Sequence, residues 1–326
     1  MRAIRCVNYG EPSGLTIENL DEPVPGPGEV LLDVEAAGLG YVDALLVRGT
    51  YQVKMPLPFV PGSEVAGTIE AVGEGVSSDL IGTRVMALSP RGALAEKIAI
   101  PAVVCTSLPD DMSTSAAAGF IVSYCTALYG FETCGKLQAG ETVLVLGAAG
   151  GVGMAAIDVA KAMGARVIAA ASTAEKRDAA KAHGADMVVD YSDPDWRKAL
   201  DALVEKRGVN VVYDPVGGAY SETAFRCLAP GGRHLVVGFA NGEIPKLPLN
   251  LALLKRASLV GVDWGGEMRA NPKIMGPLLH TLTDWVVAGK IHPEPTASFP
   301  LNEAGDVLQR LLERRMVGKP VIQVNK

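Results

Sequence analysis

Histidine and cysteine are scarce in this chain, and neither is spaced for chemistry. Four histidines, His183, His234, His280 and His292, occur among 326 residues, with no HxxxH or HExxH pair. Five cysteines, Cys6, Cys105, Cys125, Cys134 and Cys227, are scattered without a CxxC. This argues against a disulfide framework or a zinc ribbon, and predicts free thiols in a reducing compartment and no metal. Basic excess is missing too: 30 Lys and Arg stand against 36 Asp and Glu, a net charge of −6. Neither nucleic acid nor an anionic membrane is the expected partner. No charge-free apolar run reaches the roughly 18 residues that a membrane span needs. The opening MRAIRCVNYGEPSGL has no apolar core of a secretion signal. A soluble, cytoplasmic chain is expected.

What is present is an ordinary globular composition, 48% hydrophobic and 20% charged, long enough to call for two domains. Residues 1–122 are rich in Val, Gly and Pro, with short alternating segments such as EVLLDVEAAG and TRVMALS between clusters like EPVPGPGE. They read as an irregular, largely antiparallel β domain. From about residue 141 the texture becomes regular. TVLVLG, RVIAAA, MVVD, VNVVYD, RHLVVGF and SLVGVDW are six buried-looking strands separated by helical segments. They spell successive βαβ units and an α/β, doubly wound parallel sheet. From about 265 the chain turns helical and closes on KPVIQVNK, a terminal strand expected to rejoin the first domain. The predicted division is therefore 1–122 with 265–326, and 123–264.

The first strand–helix junction is VLVLGAAGGVGMAA. A dinucleotide fingerprint, G-x-G-x-x-G, uses glycines for a tight turn, for approach to the pyrophosphate and for helix–strand packing. Here it reads Ala148-x-Gly150-x-x-Gly153, preceded by Gly147. Alone the motif is weak; after an apolar strand and at the start of a βαβ series it is strong. Backbone N–H groups around Ala149, Gly150, Gly151 and Val152 are predicted to meet the diphosphate. At the end of the second strand an NAD site wants a carboxylate, and an NADP site wants cations and hydroxyls. The sequence AAASTAEKR offers Ser172, Thr173, Lys176 and Arg177 and no acid at the strand end. That favours NADPH. The bland alternative, a solvated helix face with Ser172 or Thr173 as N-cap, is compatible with it.

One further stretch, VPGSEVAG, sets Ser63 and Glu64 between two glycines. By itself it can be a metal fragment, an acid–base group or a turn.

AAGLGYVDALLVRGTY, PFVPGSEVAGTIEAVGEGV, AAAGFIVSYCTALYG, the glycine loop, HGAD, VYDPVGG, RHLVVGFANG and LLKRASLVGVDWGG follow in order. Together they resemble the medium-chain dehydrogenase/reductase superfamily, in its zinc-free quinone-oxidoreductase (ζ-crystallin-like) branch. The resemblance covers nearly the whole chain. It implies a Rossmann domain for NADPH and a β-rich, GroES-like catalytic domain. In zinc-dependent relatives the VPGSEVAG turn reads Gly-His-Glu and its histidine binds the metal; here Ser63 stands there. The first zinc cysteine falls near Gly40, which also cannot ligate.

The branch implies hydride transfer from NADPH to a quinone or an α,β-unsaturated carbonyl. Tyr51 resembles the family tyrosine near the nicotinamide, and Asp43 a polar residue of the substrate cleft. Relatives often carry asparagine at the Gly40 position, and some carry tyrosine at Leu45; Tyr41 is the neighbour placed to compensate. Competing readings are a half-buried edge aromatic for Tyr51 and a helix-capping carboxylate for Asp43. By the same resemblance Thr126, Tyr191 and Val216–Gly217 contact the cofactor. Gly238–Phe239 and Asp263–Trp264 lie along its nicotinamide half, although Trp264 also reads as a core aromatic. Members commonly pair the SLVGVDW edge strand across a two-fold axis, so a homodimer is expected. Two rival readings stay open: a 2-enoyl thioester reductase on the same fold, and a non-catalytic NADPH-binding, crystallin-like protein.

Overall fold

The structure is a computed structural model and describes residues 1–325. The chain divides into two compact units, Met1–Val122 with Pro293–Lys326, and Ser123–His292.

In the second unit, six strands form one sheet in the spatial order Met187–Asp190, Arg166–Ala171, Thr142–Leu146, Val209–Asp214, Leu228–Val236, Ser258–Gly261. Every pairing is parallel. The chain starts in the middle, adds two strands to one side, then returns and adds three to the other. The order reverses between Thr142–Leu146 and Val209–Asp214, the place where such sheets open a crevice at the carboxyl ends of their strands. The apolar runs form strands because both faces are covered: Leu144, Leu146 and Ile168 are fully buried, and Trp196, Leu200 and Phe225 pack in the same core. Each such side chain contributes about 1.5–3 kcal/mol on burial. Helix Gly151–Ala162 presents mostly small residues to the sheet, with Ala155, Ala156 and Ala160 buried, which brings it close to the strand it follows.

Residues 265–292 belong to this second unit, whereas their helical texture was expected with the first. Helix Trp264–Ala270 continues directly from the edge strand of this sheet: the Val262 N–H donates to the Val236 carbonyl at 2.9 Å, and the Trp264 side chain is buried. Periodicity marks a helix; it does not say which core the helix serves.

In the first unit, a seven-stranded, mainly antiparallel sheet is organised around Glu29–Gly38. This strand pairs antiparallel with Glu64–Val72, with Lys97–Pro101 and with the late strand Pro320–Gln323. Leu32, Val34 and Val65 are fully buried beneath it with Val307 and Leu308 of helix Ala304–Leu312. The last pairing carries the end of the chain to the start of the short helix Tyr41–Arg48, where the Leu39 N–H donates to the Pro320 carbonyl at 3.1 Å.

Candidate active site

At the carboxyl edge of the parallel sheet, the loop after Thr142–Leu146 turns at Gly147, whose φ of 58° lies in the left-handed region. Gly147 thus makes the tight turn that the Ala148 register leaves without a glycine. Gly150 is the N-cap of helix Gly151–Ala162 and has no side chain to cap it. The first-turn N–H groups of Gly151 and Val152 therefore have no side-chain cap, at the positive end of a twelve-residue helix, an arrangement that can take an anion. A Cβ added at Gly153 would lie 2.4 Å from the Gly147 carbonyl oxygen. The third glycine is the condition for helix and loop to touch.

The next strand ends at Ala171, and Thr173 caps helix Ala174–Ala182 by accepting the Lys176 N–H at 3.3 Å. Ser172 and Lys176 are half-buried beside this turn. Parallel register sets Asp190 of the neighbouring strand opposite Ala171. Asp190 is held by Arg177 at 2.7 Å and by the Ser192 hydroxyl at 2.5 Å. The hydrogen bonds from Ser192, with the charge of Arg177, keep its carboxyl below the usual range. Tyr191 follows and packs on Tyr220 with ring centroids 4.3 Å apart.

Val216 and Gly217 follow strand Val209–Asp214, and Gly238 and Phe239 follow Leu228–Val236. Asp263 follows the edge strand and caps helix Trp264–Ala270 by accepting the Gly266 N–H at 2.8 Å. All of these lie on one edge because the strands are parallel. Phe239 is 39% exposed; Trp264 is buried, and its indole N–H has no partner among the described residues. Thr126 is half-buried on helix Ile121–Leu128.

The first unit holds a different constellation. Asp43 is buried at the third position of helix Tyr41–Arg48. One of its oxygens accepts the Gly40 N–H at 2.8 Å, and the other accepts the Ser63 hydroxyl at 3.0 Å. Asp43 is thus the helix-capping carboxylate, with both oxygens engaged. Next to Ser63, the buried Glu64 accepts the Val122 N–H at 2.8 Å and forms an ion pair with Lys319. Burial pushes the Asp43 and Glu64 carboxyls above their usual range; Lys319 opposes the push on both, and Asp43 adds to it on Glu64. Tyr41 opens the helix and Tyr51 lies on the bend beyond its end, both half-buried.

A groove of about 260 Å³, lined by Arg197, Asp201, Lys206, Arg207, Arg226 and Lys255 among others, lies at the opposite edge of the parallel sheet. There strands Val209–Asp214 and Leu228–Val236 begin. Most of its cations have local work. Arg226 pairs with Glu222 at 2.6 Å, Arg207 with Glu205 at 3.1 Å, and Lys255 donates to the Leu228 carbonyl at 3.1 Å. Arg226 and Lys255 also face the negative ends of their own helices.

Two family models match: an alcohol dehydrogenase GroES-like domain over residues 26–110 and a zinc-binding dehydrogenase domain over 151–280. The chain is 37% identical to quinone oxidoreductase-like protein 2 of Rattus norvegicus, over 99% of this chain and 92% of that protein. The chain belongs to the quinone oxidoreductase-like branch of the medium-chain dehydrogenases and reductases. Among solved structures, mycobacterial Rv1454c complexed with NADPH matches with a TM-score of 0.90 and 33% identity, over 99% of this chain and 100% of that one. The CurK enoyl reductase matches with a TM-score of 0.88 and 27% identity, over 99% and 98%.

Zinc does not fit this member of the family. Among the described residues no group of three or more His, Cys, Asp and Glu could hold a metal ion. At the Gly40–Ser63–Glu64 position the acids already have their donors, and Lys319 supplies the positive charge. Lys319 is the residue that sequence reading missed. It lies 255 residues from its partner, and nothing in KPVIQVNK signals an ion pair. Asp190 was missed likewise, because only strand register brings it beside Ala171.

Proposed function

We propose that this protein is an NADPH-dependent reductase that transfers hydride to quinones or α,β-unsaturated carbonyls without a metal. The observation that carries the reading is the Glu64–Lys319 pair beside Ser63. Ser63 stands where zinc-dependent relatives place the ligating histidine, and the acid beside it is neutralised by Lys319, which leaves no Lewis acid to polarise an isolated carbonyl. The acceptor must then be electron-poor by its own conjugation.

NADPH supplies the hydride when bound. The loop Ala149, Gly150, Gly151 and Val152 offers backbone N–H groups to its diphosphate, and Ser172, Lys176 and Tyr191 surround the place for the 2′-phosphate. Thr126, Val216, Gly238, Phe239, Asp263 and Trp264 are assigned to its remaining length. Tyr51 and Tyr41 are assigned to the acceptor, and Asp43 holds the helix that carries Tyr41. Charge arriving on the acceptor oxygen is taken up by a proton from solvent, giving a hydroquinone or a saturated carbonyl.

A thioester reductase on this fold needs cations at the entrance for carrier phosphates. The cationic groove lies at the other edge of the sheet and is occupied with its own acids and helix ends, which favours the quinone or enone reading. The exposed Leu253 and Leu254, 77% and 71% accessible, precede the edge strand Ser258–Gly261, which itself carries Leu259, 54% accessible. They support a homodimer joined through that strand.

The test is oxidation of NADPH and of NADH with 1,4-benzoquinone, 9,10-phenanthrenequinone, an alkenal and crotonyl-CoA, each with and without chelator. Turnover of a quinone or the alkenal, faster with NADPH and unchanged by chelator, is expected. Turnover of crotonyl-CoA alone makes the protein a thioester reductase. Tight NADPH binding with no turnover makes it a binding protein, and a better rate with NADH overturns the 2′-phosphate assignment.

A further inference from the structure

Beneath the carboxyl edge of the parallel sheet lies a buried Ser–Asp–His cluster. Asp214, 2% exposed, ends strand Val209–Asp214; Ser221, 5% exposed, is in the first turn of helix Ala219–Arg226; His234, 1% exposed, is on the next strand. In composition the three match a nucleophilic triad, but their wiring is different. The Ser221 hydroxyl donates to Asp214 Oδ2 at 2.5 Å, and His234 Nε2 lies 2.9 Å from the same oxygen. A triad runs serine to histidine to acid, so that the imidazole can take the hydroxyl proton. Here both side chains converge on the carboxylate, and the hydroxyl is committed to it. The arrangement holds an acid in place; it does not activate a serine.

The other oxygen of Asp214 shows what is being held. Oδ1 accepts the N–H groups of Val216 and Gly217 at 2.9 and 2.8 Å. The Asp214 backbone carbonyl accepts Val237 and Gly238 N–H at 2.9 and 3.2 Å. The two loops are then laced together. Ala240 N–H donates to the Pro215 carbonyl at 3.1 Å, Asn241 N–H to Val216 at 2.8 Å, and Gly218 N–H to Glu243 at 3.0 Å. Gly217 and Gly218 have φ of 72° and 62°, and a Cβ on Gly218 would lie 2.2 Å from the Asn241 amide nitrogen. Burial pushes the Asp214 carboxyl up, yet the hydrogen bond with His234, with the Gly217 N–H and Ser221 hydroxyl, brings it below the usual range. His234 stacks on Phe225, and its Nδ1 has no partner among the described residues. A proton on Nδ1 would be buried without an acceptor, so Nε2 is the nitrogen that carries the proton and donates it to Asp214.

We propose that Asp214, clamped by Ser221 and His234, is a positioning residue for hydride transfer: it fixes loops 215–218 and 237–241 against the nicotinamide half of NADPH and leaves the adenosine half to the glycine loop and Ser172. This rests on the NADPH reading above. It adds that the two halves of the cofactor are held by separable parts of one sheet edge.

The test compares the binding of NADPH and of 2′,5′-ADP, which carries only the adenosine 2′-phosphate half, in the wild type and in H234L, H234Q and S221A. The glutamine amide can reproduce the donor that His234 Nε2 offers, and leucine cannot. Expected are a loss of about tenfold in NADPH affinity for H234L, an unchanged affinity for 2′,5′-ADP, and recovery of most of the loss in H234Q. S221A, which removes one donor and leaves His234 on Asp214, is expected to show the same selective loss at smaller size. Equal losses of both ligands, or no loss of either in variants that fold, overturn the positioning role. Failure of the wild type to bind 2′,5′-ADP and NADPH overturns the cofactor reading instead.

Discussion

Each unit of this molecule buries carboxylates, and it treats them in opposite ways. Asp214 receives four donors, two backbone N–H groups, a hydroxyl and an imidazole, and its proton affinity falls below normal. Asp43 and Glu64 are equally buried but have two donors each and share the charge of one lysine, and theirs rises. Burial is common to both. The number of donors, and the presence of a like charge, decide the sign. In the parallel sheet, backbone N–H groups at strand ends are there to be used. In the antiparallel sheet they are spent on neighbouring strands, so a side chain brought from the far end of the sequence has to answer instead.

The largest effect is expected where one group answers for two. Lys319→Met leaves Glu64 and Asp43 buried with no cation and should cost about 3–5 kcal/mol in urea unfolding at neutral pH. Adding Glu64→Leu should recover most of it. If Lys319→Met alone unfolds like the wild type, the first cluster is not held by charge. Asp214→Ala comes next. It strands two buried N–H groups, a hydroxyl and an imidazole, each costing about 1–3 kcal/mol if water cannot reach it, and water entering the space the carboxylate leaves should keep the total in urea unfolding at about 3 kcal/mol.

Much of this was legible beforehand, for reasons that are physical. Strands buried on both faces must be apolar runs, so TVLVLG and VNVVYD announced a parallel sheet, and a glycine loop is a local device readable in seven residues. Partners set by register are not local. His234 and Asp214 lay in quoted motifs, RHLVVGF and VYDPVGG, yet their contact appears only when Val212 is set opposite His234. Lys319 required the last strand to be placed on Glu29–Gly38. The turn VPGSEVAG, ambiguous as sequence, becomes the meeting point of a capping acid and an ion pair.

Opposite shifts give opposite pH dependence. For Asp43 and Glu64 the folded chain binds protons more tightly than the unfolded one. Their contribution is therefore lost as pH rises from the ordinary carboxylate range through their raised values, and is constant above. For Asp214 the unfolded chain binds more tightly. Its contribution grows as pH rises from its depressed value to the ordinary range and is complete above it. Asp43→Asn removes the like charge on Glu64 and one raised titration. Urea unfolding between about pH 4 and 8 should then show a shallower decline for the variant than for the wild type, a smaller effect than either deletion. An unchanged slope would mean that neither acid of the first cluster titrates as described.

The smallest effect concerns a carboxylate that is neither buried nor alone. Asp190 faces the turn after Ala171 and, free, would repel a 2′-phosphate or accept a ribose hydroxyl. Arg177 and Ser192 occupy it, so each neutralises what the other could do for the cofactor. Asp190→Asn releases the guanidinium while keeping the shape of the side chain. Because the pair is partly exposed, with side chains 21% and 35% accessible, its removal should cost little stability. NADPH affinity should rise by a factor of a few, on the order of 1 kcal/mol or less, with NADH unchanged. A parallel gain for both cofactors would locate the effect in the fold of the turn. A loss confined to NADH would show that Asp190, and not Ser172 with Lys176, reads the ribose.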